Sequence, residues 1–218
     1  FKQKTAYEML RSLVGSEMCI RDRIYRADLR EFGDKIDQGE LTSTCLSTAS
    51  DDEAGQKWSE DNNFAGYTSY ASLNDLDWRY SIFKDLIKIL NKHVKTFVND
   101  LEFDLNDKKI KLDSLWINIL PFGGIHTSHL HPHSVISGTT YISMPKGTSA
   151  IKFEDPRLAM MMASPSRKEN ARPELKNFIY MEPKLGEVLL WESWLRHEVQ
   201  MNMADEERIS VSFNYNWS

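Results

Sequence analysis

Two cysteines, Cys19 and Cys45, are all that the 218 residues contain. That excludes a disulfide framework and fits a reducing, cytoplasmic compartment. Long apolar runs are missing too. None approaches the ~18–20 residues that a membrane span needs, and no apolar stretch with a small-residue cleavage site marks a secretory leader. Basic charge is in short supply: 27 Lys and Arg face 32 Asp and Glu, for a net charge of −5. A nucleic-acid partner, which needs a basic footprint, is therefore not expected. Apolar content of 41% and six Trp instead describe a folded globule, long enough for one large domain with a real core. Histidine is scarce as well, six in all, yet four fall within eight positions of GGIHTSHLHPHS (123–134): His126, His129, His131 and His133.

The first segment is set aside. Residues 1–23, FKQKTAYEMLRSLVGSEMCIRDR, resemble translated sequencing-adapter text, with SEMCIRDR the most distinctive part. The segment is read as non-native and excluded from fold reasoning. It carries five Lys/Arg and three Asp/Glu, so the remaining chain has a net charge of −7 and a single cysteine. The alternative is an ordinary amphipathic helix with Tyr7, Leu10, Leu13 and Val14 as its stripe.

Residues 24–218 read as a single domain, a helical part at 24–105 followed by a strand-rich core at 106–218. The text from Ile24 to about Asp75 is polar and predicts only a short helix at 27–38, then irregular chain. Residues 78–101 carry Ile82, Phe83, Leu86, Ile87, Leu90, Val94, Phe97 and Val98 at helical spacing, which predicts one long helix. His93 lies within it as a solvated or half-buried structural histidine. Beyond Asn106 the period drops to two, and strands are expected at 112–120, 138–145, 149–153, 177–183, 186–191 and 208–217. Helices first and strands afterwards argue for an α+β fold whose second half is a jelly roll or barrel. The Met-, Ser- and Pro-rich stretch 158–175 reads as a long loop, a lid in one reading; its three consecutive Met serve as core filler in the other.

On a strand, residues two apart share a face. His129 and His131 therefore point together, as do His131 and His133, and paired imidazoles suit a divalent transition metal. The alternative is a surface cluster that holds no ion. A distant feature favours the metal: GEVLLWESWLRHEVQMNMADEERISVSFNYNW (186–217) delivers His197 after a strand and turn, then returns eleven residues later with Arg208 and Ser210. A third histidine completes a facial triad with open positions, and an arginine fork suits a carboxylate. Trp191 and Trp194 are expected to brace the strand end.

These residues bring a family into view. HLHPHSVISGTTY (129–141), FEDPR (153–157) and the G-E-V-L…S-W-L-x-H-x-V…R-I-S-x-S-F-N ending (186–214) resemble an uncharacterised family of 2-oxoglutarate and Fe(II)-dependent oxygenases common in marine bacteria and their phages. IYRADL (24–29) is similar to the tail of that family's first strand. The resemblance covers residues 24–218. It implies a double-stranded β-helix with N-terminal helices packed on one sheet. It also implies a non-haem Fe(II) dioxygenase that uses 2-oxoglutarate and O2 and hydroxylates a substrate the sequence does not name; nothing in the text sets an oligomeric state. Carried over residue by residue, His129 and His197 are iron ligands, Arg208 with Ser210 holds the distal carboxylate of 2-oxoglutarate, and Tyr141 and Asn118 line its pocket. The superfamily's H-x-Asp or H-x-Glu appears here as H-x-His. His131 thus stands in the carboxylate's place, unless Asp155 or Glu154 supplies that ligand. Trp191 and Glu192 replace an expected Phe-Pro. His126 and His133 are expected at the periphery of the site. Two rivals remain: a cupin-like metalloenzyme without 2-oxoglutarate, and a non-catalytic jelly-roll binding protein. Neither gives Arg208 and Ser210 a reason to follow His197.

Overall fold

The structure, a computed structural model, describes residues 23–172 and 175–218; the adapter-like segment lies outside them apart from Arg23. In chain order the helical half contains β1 (Ile24–Asp28), α1 (Gln38–Asp51), α2 (Glu53–Asp61), β2 (Tyr67–Thr68), α3 (Leu76–Arg79) and α4 (Ser81–Asp100). The second half contains β3 (Ile110–Leu120), β4 (His126–His129), β5 (Ile136–Ser143), β6 (Ile151–Glu154), β7 (Phe178–Met181), β8 (Glu187–Glu192), β9 (His197–Val199) and β10 (Arg208–Trp217). The strands form two antiparallel sheets, a larger one in the order β1-β8-β5-β10-β3-β2 and a smaller one in the order β4-β9-β6-β7. This is the expected α+β jelly roll.

Period-two patterning in the larger sheet decides which side chains face the site. Along β10, Ile209, Val211, Phe213 and Tyr215 join the core cluster that includes Phe83, Leu86 and Leu90 of α4. The intervening Arg208, Ser210, Ser212 and Asn214 are therefore left for the opposite, inner face. On β3 the same alternation sends Leu115, Ile117 and Ile119 toward the helices and leaves Trp116, Asn118 and Leu120 on the inner side. A second cluster, with Ile151, Phe153, Leu189 and Trp191, closes the space between the sheets.

The helix expected at 27–38 does not form. Residues 24–28 are β1, paired antiparallel with β8 from Ile24↔Trp191 to Asp28↔Glu187. The chain then turns: Asp28 Oδ1 accepts the Arg30 N–H at 2.8 Å, and Gly33 adopts φ +76°. A side chain that captures a nearby backbone donor competes directly with helix formation. The stretch read as irregular holds α1 and α2 instead. The buried residues of α1, Leu41, Cys45 and Thr48, keep helical spacing, but two of the three are small or polar, which hides the stripe. Asp37 and Asp52 cap α1 and α2 by accepting the Glu40 and Gly55 N–H groups at 2.9 and 3.0 Å. Because β1 and β2 belong to the larger sheet, the boundary near residue 105 does not separate helices cleanly from strands.

Three smaller expectations also change. His93 is fully buried, with Nδ1 2.9 Å from the Tyr25 hydroxyl, so it is a structural histidine deeper than expected. Trp191 is buried as expected, whereas Trp194 is 44% exposed and packs only loosely beneath the Arg23 guanidinium. Met160 and Met162 are 78% and 91% exposed, so they fill no core; the stretch 158–172 is turns and one short 3-10 segment, Leu158–Met160.

Candidate metal and co-substrate site

Strand pairing assembles the histidines. In the β4–β9 ladder His129 lies directly opposite His197, with a bulge between His126 and His129, and the two rings sit 4.3 Å apart. His131 follows β4 in a turn secured by its own N–H, which donates to Ser193 O at 3.1 Å. Its ring comes within 5.2 Å of His129 and 5.1 Å of His197. One ligand atom from each of the three lies within 4.8 Å of the others, the one such cluster among the described residues.

Each imidazole is held in the same tautomer by a partner behind it. The Nδ1–H of His129 donates to Thr127 O at 2.7 Å, that of His197 to Leu195 O at 2.9 Å, and that of His131 to Asn214 Oδ1 at 2.6 Å. All three Nε2 lone pairs are left for a cation, the arrangement that metal-ligating histidines need. Burial leads in pushing the pKa of all three below the usual imidazole value, His197 furthest, so the rings are neutral at neutral pH, the form a metal requires. Behind His131 stands a small polar network: Ser137 Oγ donates to Asn214 Oδ1 at 2.8 Å and lies 2.7 Å from Ser193 Oγ.

The second group gathers on the sheet beside the histidines. Ser210 on β10 faces Asn118 on β3 and Tyr141 on β5 across the ladder. Arg208, 2% exposed, lies with its guanidinium carbon 5.3 Å from the Tyr141 ring centre. One cavity is lined by Asn118, His126, His129, His131, His197, Arg208 and Ser210. Among the described residues five buried side-chain atoms have no hydrogen-bond partner, and four belong here: Asn118 Oδ1, Tyr141 OH, Trp191 Nε1 and Arg208 Nε. Burial lowers the Arg208 pKa, partly countered by Tyr141, and raises the Tyr141 phenol to about 12. Arg208 forms no ion pair among the described residues. An isolated buried cation costs several kcal/mol, so this guanidinium awaits an anion.

Of the sequence-derived candidates, His129, His131, His197, Arg208, Ser210 and Asn118 line this cavity, whereas Tyr141 lies beside the Arg208 guanidinium without lining it. The alternative carboxylates do not join them. Both oxygens of Asp155 are taken by Arg157, Oδ1 by its N–H and Nε–H at 2.8 and 2.9 Å and Oδ2 by the guanidinium at 2.5 Å. Glu154 lies on β6 outside the cavity lining. His126 stacks on His129 at 4.2 Å and lines the cavity, closer to the centre than expected, while His133 sits in a turn at φ +71°. Sequence reasoning missed Ser137, Ser193 and Asn214, although all three stand inside the motif text that carried the resemblance.

The fold is similar to that of the non-haem α-ketoglutarate-dependent epimerase SnoN from nogalamycin biosynthesis, with TM-score 0.60 at 11% identity over 95% of this chain and 82% of that one. It is also similar to HygX from Streptomyces hygroscopicus, solved with nickel and 2-oxoglutarate, with TM-score 0.55 at 12% identity over 98% and 87%. The carbocyclase SnoK gives TM-score 0.55 at 9% identity over 94% and 84%. No curated protein matches in sequence. Residues 114–214 match the model of the family described as "Putative 2OG-Fe(II) oxygenase". That span holds all three clustered histidines and Arg208, and over it the chain is similar to the 2-oxoglutarate and Fe(II)-dependent oxygenases.

Proposed function

We propose that His129, His131 and His197 hold the iron, and that Arg208, Ser210, Tyr141 and Asn118 hold 2-oxoglutarate. Iron with 2-oxoglutarate and O2 supplies the oxidising chemistry, in which a substrate C–H becomes C–OH while 2-oxoglutarate becomes succinate and CO2. The chain's own residues bind, orient and shield. Thr127 O, Leu195 O and Asn214 fix the three rings so that each presents Nε2. The guanidinium of Arg208 donates to the distal carboxylate in a fork, assisted by the Ser210 and Tyr141 hydroxyls. Asn118 donates Nδ2 to Ser212 Oγ at 3.1 Å; turning the amide over would offer its NH2 to the carboxylate and its oxygen to the Ser212 hydroxyl. Three neutral ligands leave the cation its full charge, which a dicarboxylate dianion offsets. Residues 24–218 act as one catalytic domain.

The observation that carries this reading is Arg208, buried with Nε unpartnered beside three imidazoles that all present Nε2. A cupin-like enzyme or a binding module gives that cation no role. The test is succinate formation by anaerobically Fe(II)-loaded protein, with 2-oxoglutarate titrated for the parent and for Arg208→Ala. We expect the variant to retain iron and its fold while the apparent constant for 2-oxoglutarate rises at least about tenfold, roughly 1.4 kcal/mol. Arg208→Lys should recover only part of this, because an ammonium cannot form two parallel bonds. A parent that makes no succinate, or an Arg208→Ala variant with unchanged 2-oxoglutarate dependence, refutes the proposal.

A further inference from the structure

A second cavity, of about 240 Å³, opens beside the histidines. Four aromatic side chains from separate parts of the chain wall it: Trp58 of α2, Phe64 in the following turn, Tyr70 just after β2 and Trp116 of β3. Leu130 and Pro132, between and beyond the clustered histidines, complete the apolar lining. The aromatic groups brace one another and the site. Tyr70 stands edge-on to Trp116 at 5.1 Å, Trp116 lies 5.8 Å from the His131 ring, and Phe64 stands edge-on to His126 at 5.4 Å. Trp116 is buried, whereas Tyr70 is 59% exposed, so the cavity has a floor at the histidines and a rim in solvent.

Its chemistry is one-sided. Among the described residues no Asp, Glu, Lys or Arg lines it, and its only ionisable lining groups besides Tyr70 are the histidines at its floor, so a charged occupant held away from them would lose hydration with no charged side chain to replace it. Besides the histidines, Thr68 and Tyr70, the lining includes one amide. Asn214 lines the cavity, and its Oδ1 is committed to His131 Nδ1–H and Ser137 Oγ–H. What Asn214 still offers is its amino group, a donor suited to a carbonyl oxygen. The volume falls below the ~300–1,000 Å³ of sites for drug-sized ligands, so a single ring-sized group fills it. Flat aromatic walls favour a ring face or edge.

We infer that this cavity receives the substrate, and that the group it takes is a small uncharged ring, aromatic or alicyclic, with a carbonyl acceptor beside it for Asn214. The inference rests on the oxygenase reading for what is done to that ring, but not for its binding.

Benzamide and benzoate test it, being nearly equal in shape and differing in charge. Each is titrated by calorimetry into anaerobic Fe(II)-loaded protein, with saturating 2-oxoglutarate to occupy Arg208 and again without it. Benzamide should saturate at one per chain, and benzoate in the presence of 2-oxoglutarate should bind at least roughly tenfold more weakly. Tyr70→Ala, at the exposed rim, and Phe64→Ala should each weaken benzamide by roughly five- to tenfold while leaving the 2-oxoglutarate titration unchanged. The inference is overturned by benzoate binding as tightly as benzamide, by no saturable benzamide binding, or by both aromatic variants binding benzamide as the parent does. A parent that takes no 2-oxoglutarate would instead sink the oxygenase reading, since benzamide without 2-oxoglutarate still reports on the cavity.

Discussion

Asn214 does two things at once: its oxygen fixes the tautomer of His131, and the residue lines the neighbouring cavity. Removing it frees the His131 ring to rotate or to carry its proton on Nε2, which would block that ligand. Partners of this kind typically contribute 10–100-fold to metal affinity, so Asn214→Ala should weaken Fe(II) binding by about that factor in a chelator competition, with circular dichroism unchanged. An unaltered affinity would mean that Ser137 alone, 3.0 Å from His131 Nδ1, sets the ring. At this scale the sequence was partly legible. Histidine spacing and the arginine after His197 stood out, because metal and carboxylate sites need particular residue types. Asn214, Ser137 and Ser193 did not, because serine and asparagine are ordinary residues until two strands and a turn bring Ser137 within 3 Å of both others.

Among the elements, the strands were easier to foresee than the helices of the first half. β10 was foreseen in full because R-I-S-V-S-F-N-Y alternates without a break, one face apolar for the helices and the other polar for the site. β4 and β9 were missed as strands: with four and three residues they are too short to show a period, and their meaning lies in the His129↔His197 pairing, which no local pattern encodes. α1 was hidden by its Thr and Ser content. One motif residue is explained only by packing between strands. Gly138 of β5 sits against β10 and β8, and an added Cβ would lie 2.6 Å from Leu190 Cδ2 and within contact of the Phe213 ring. Overpacking of this kind costs about 1–3 kcal/mol. Gly138→Ala should therefore lower the urea midpoint accordingly with iron stoichiometry preserved; a midpoint equal to the parent's would show that the ring and Leu190 give way freely.

For the molecule as a whole, burial of histidine ties stability to pH. His93, His126, His129, His131 and His197 all have pKa values below the ordinary 6.5, with burial the leading cause. Once pH drops to about 6.5 the unfolded chain takes up protons at these sites and the folded chain does not, so acid favours unfolding. The metal-free protein should hold its full stability near pH 7 and lose melting temperature steadily as pH falls from about 6.5 to 5. A flat profile over that range would show the rings to be solvated. The carboxylates act lower: Asp28, held down to about 2 chiefly by its hydrogen bonds from Arg30, matters only in stronger acid. No helix among the described residues is long and apolar enough to cross a membrane. With the role proposed for it, Arg208 extends the same coupling from protons to a metabolite. A guanidinium sealed in the sheet without a counter-charge makes the empty protein the less stable form, and any bound dicarboxylate adds its binding free energy to the fold. Proteases cleave the opened chain in proportion to its population. The lifetime of this enzyme in a cell would then follow the supply of its own co-substrate, longest where that is plentiful and shortest where the reaction has nothing to consume.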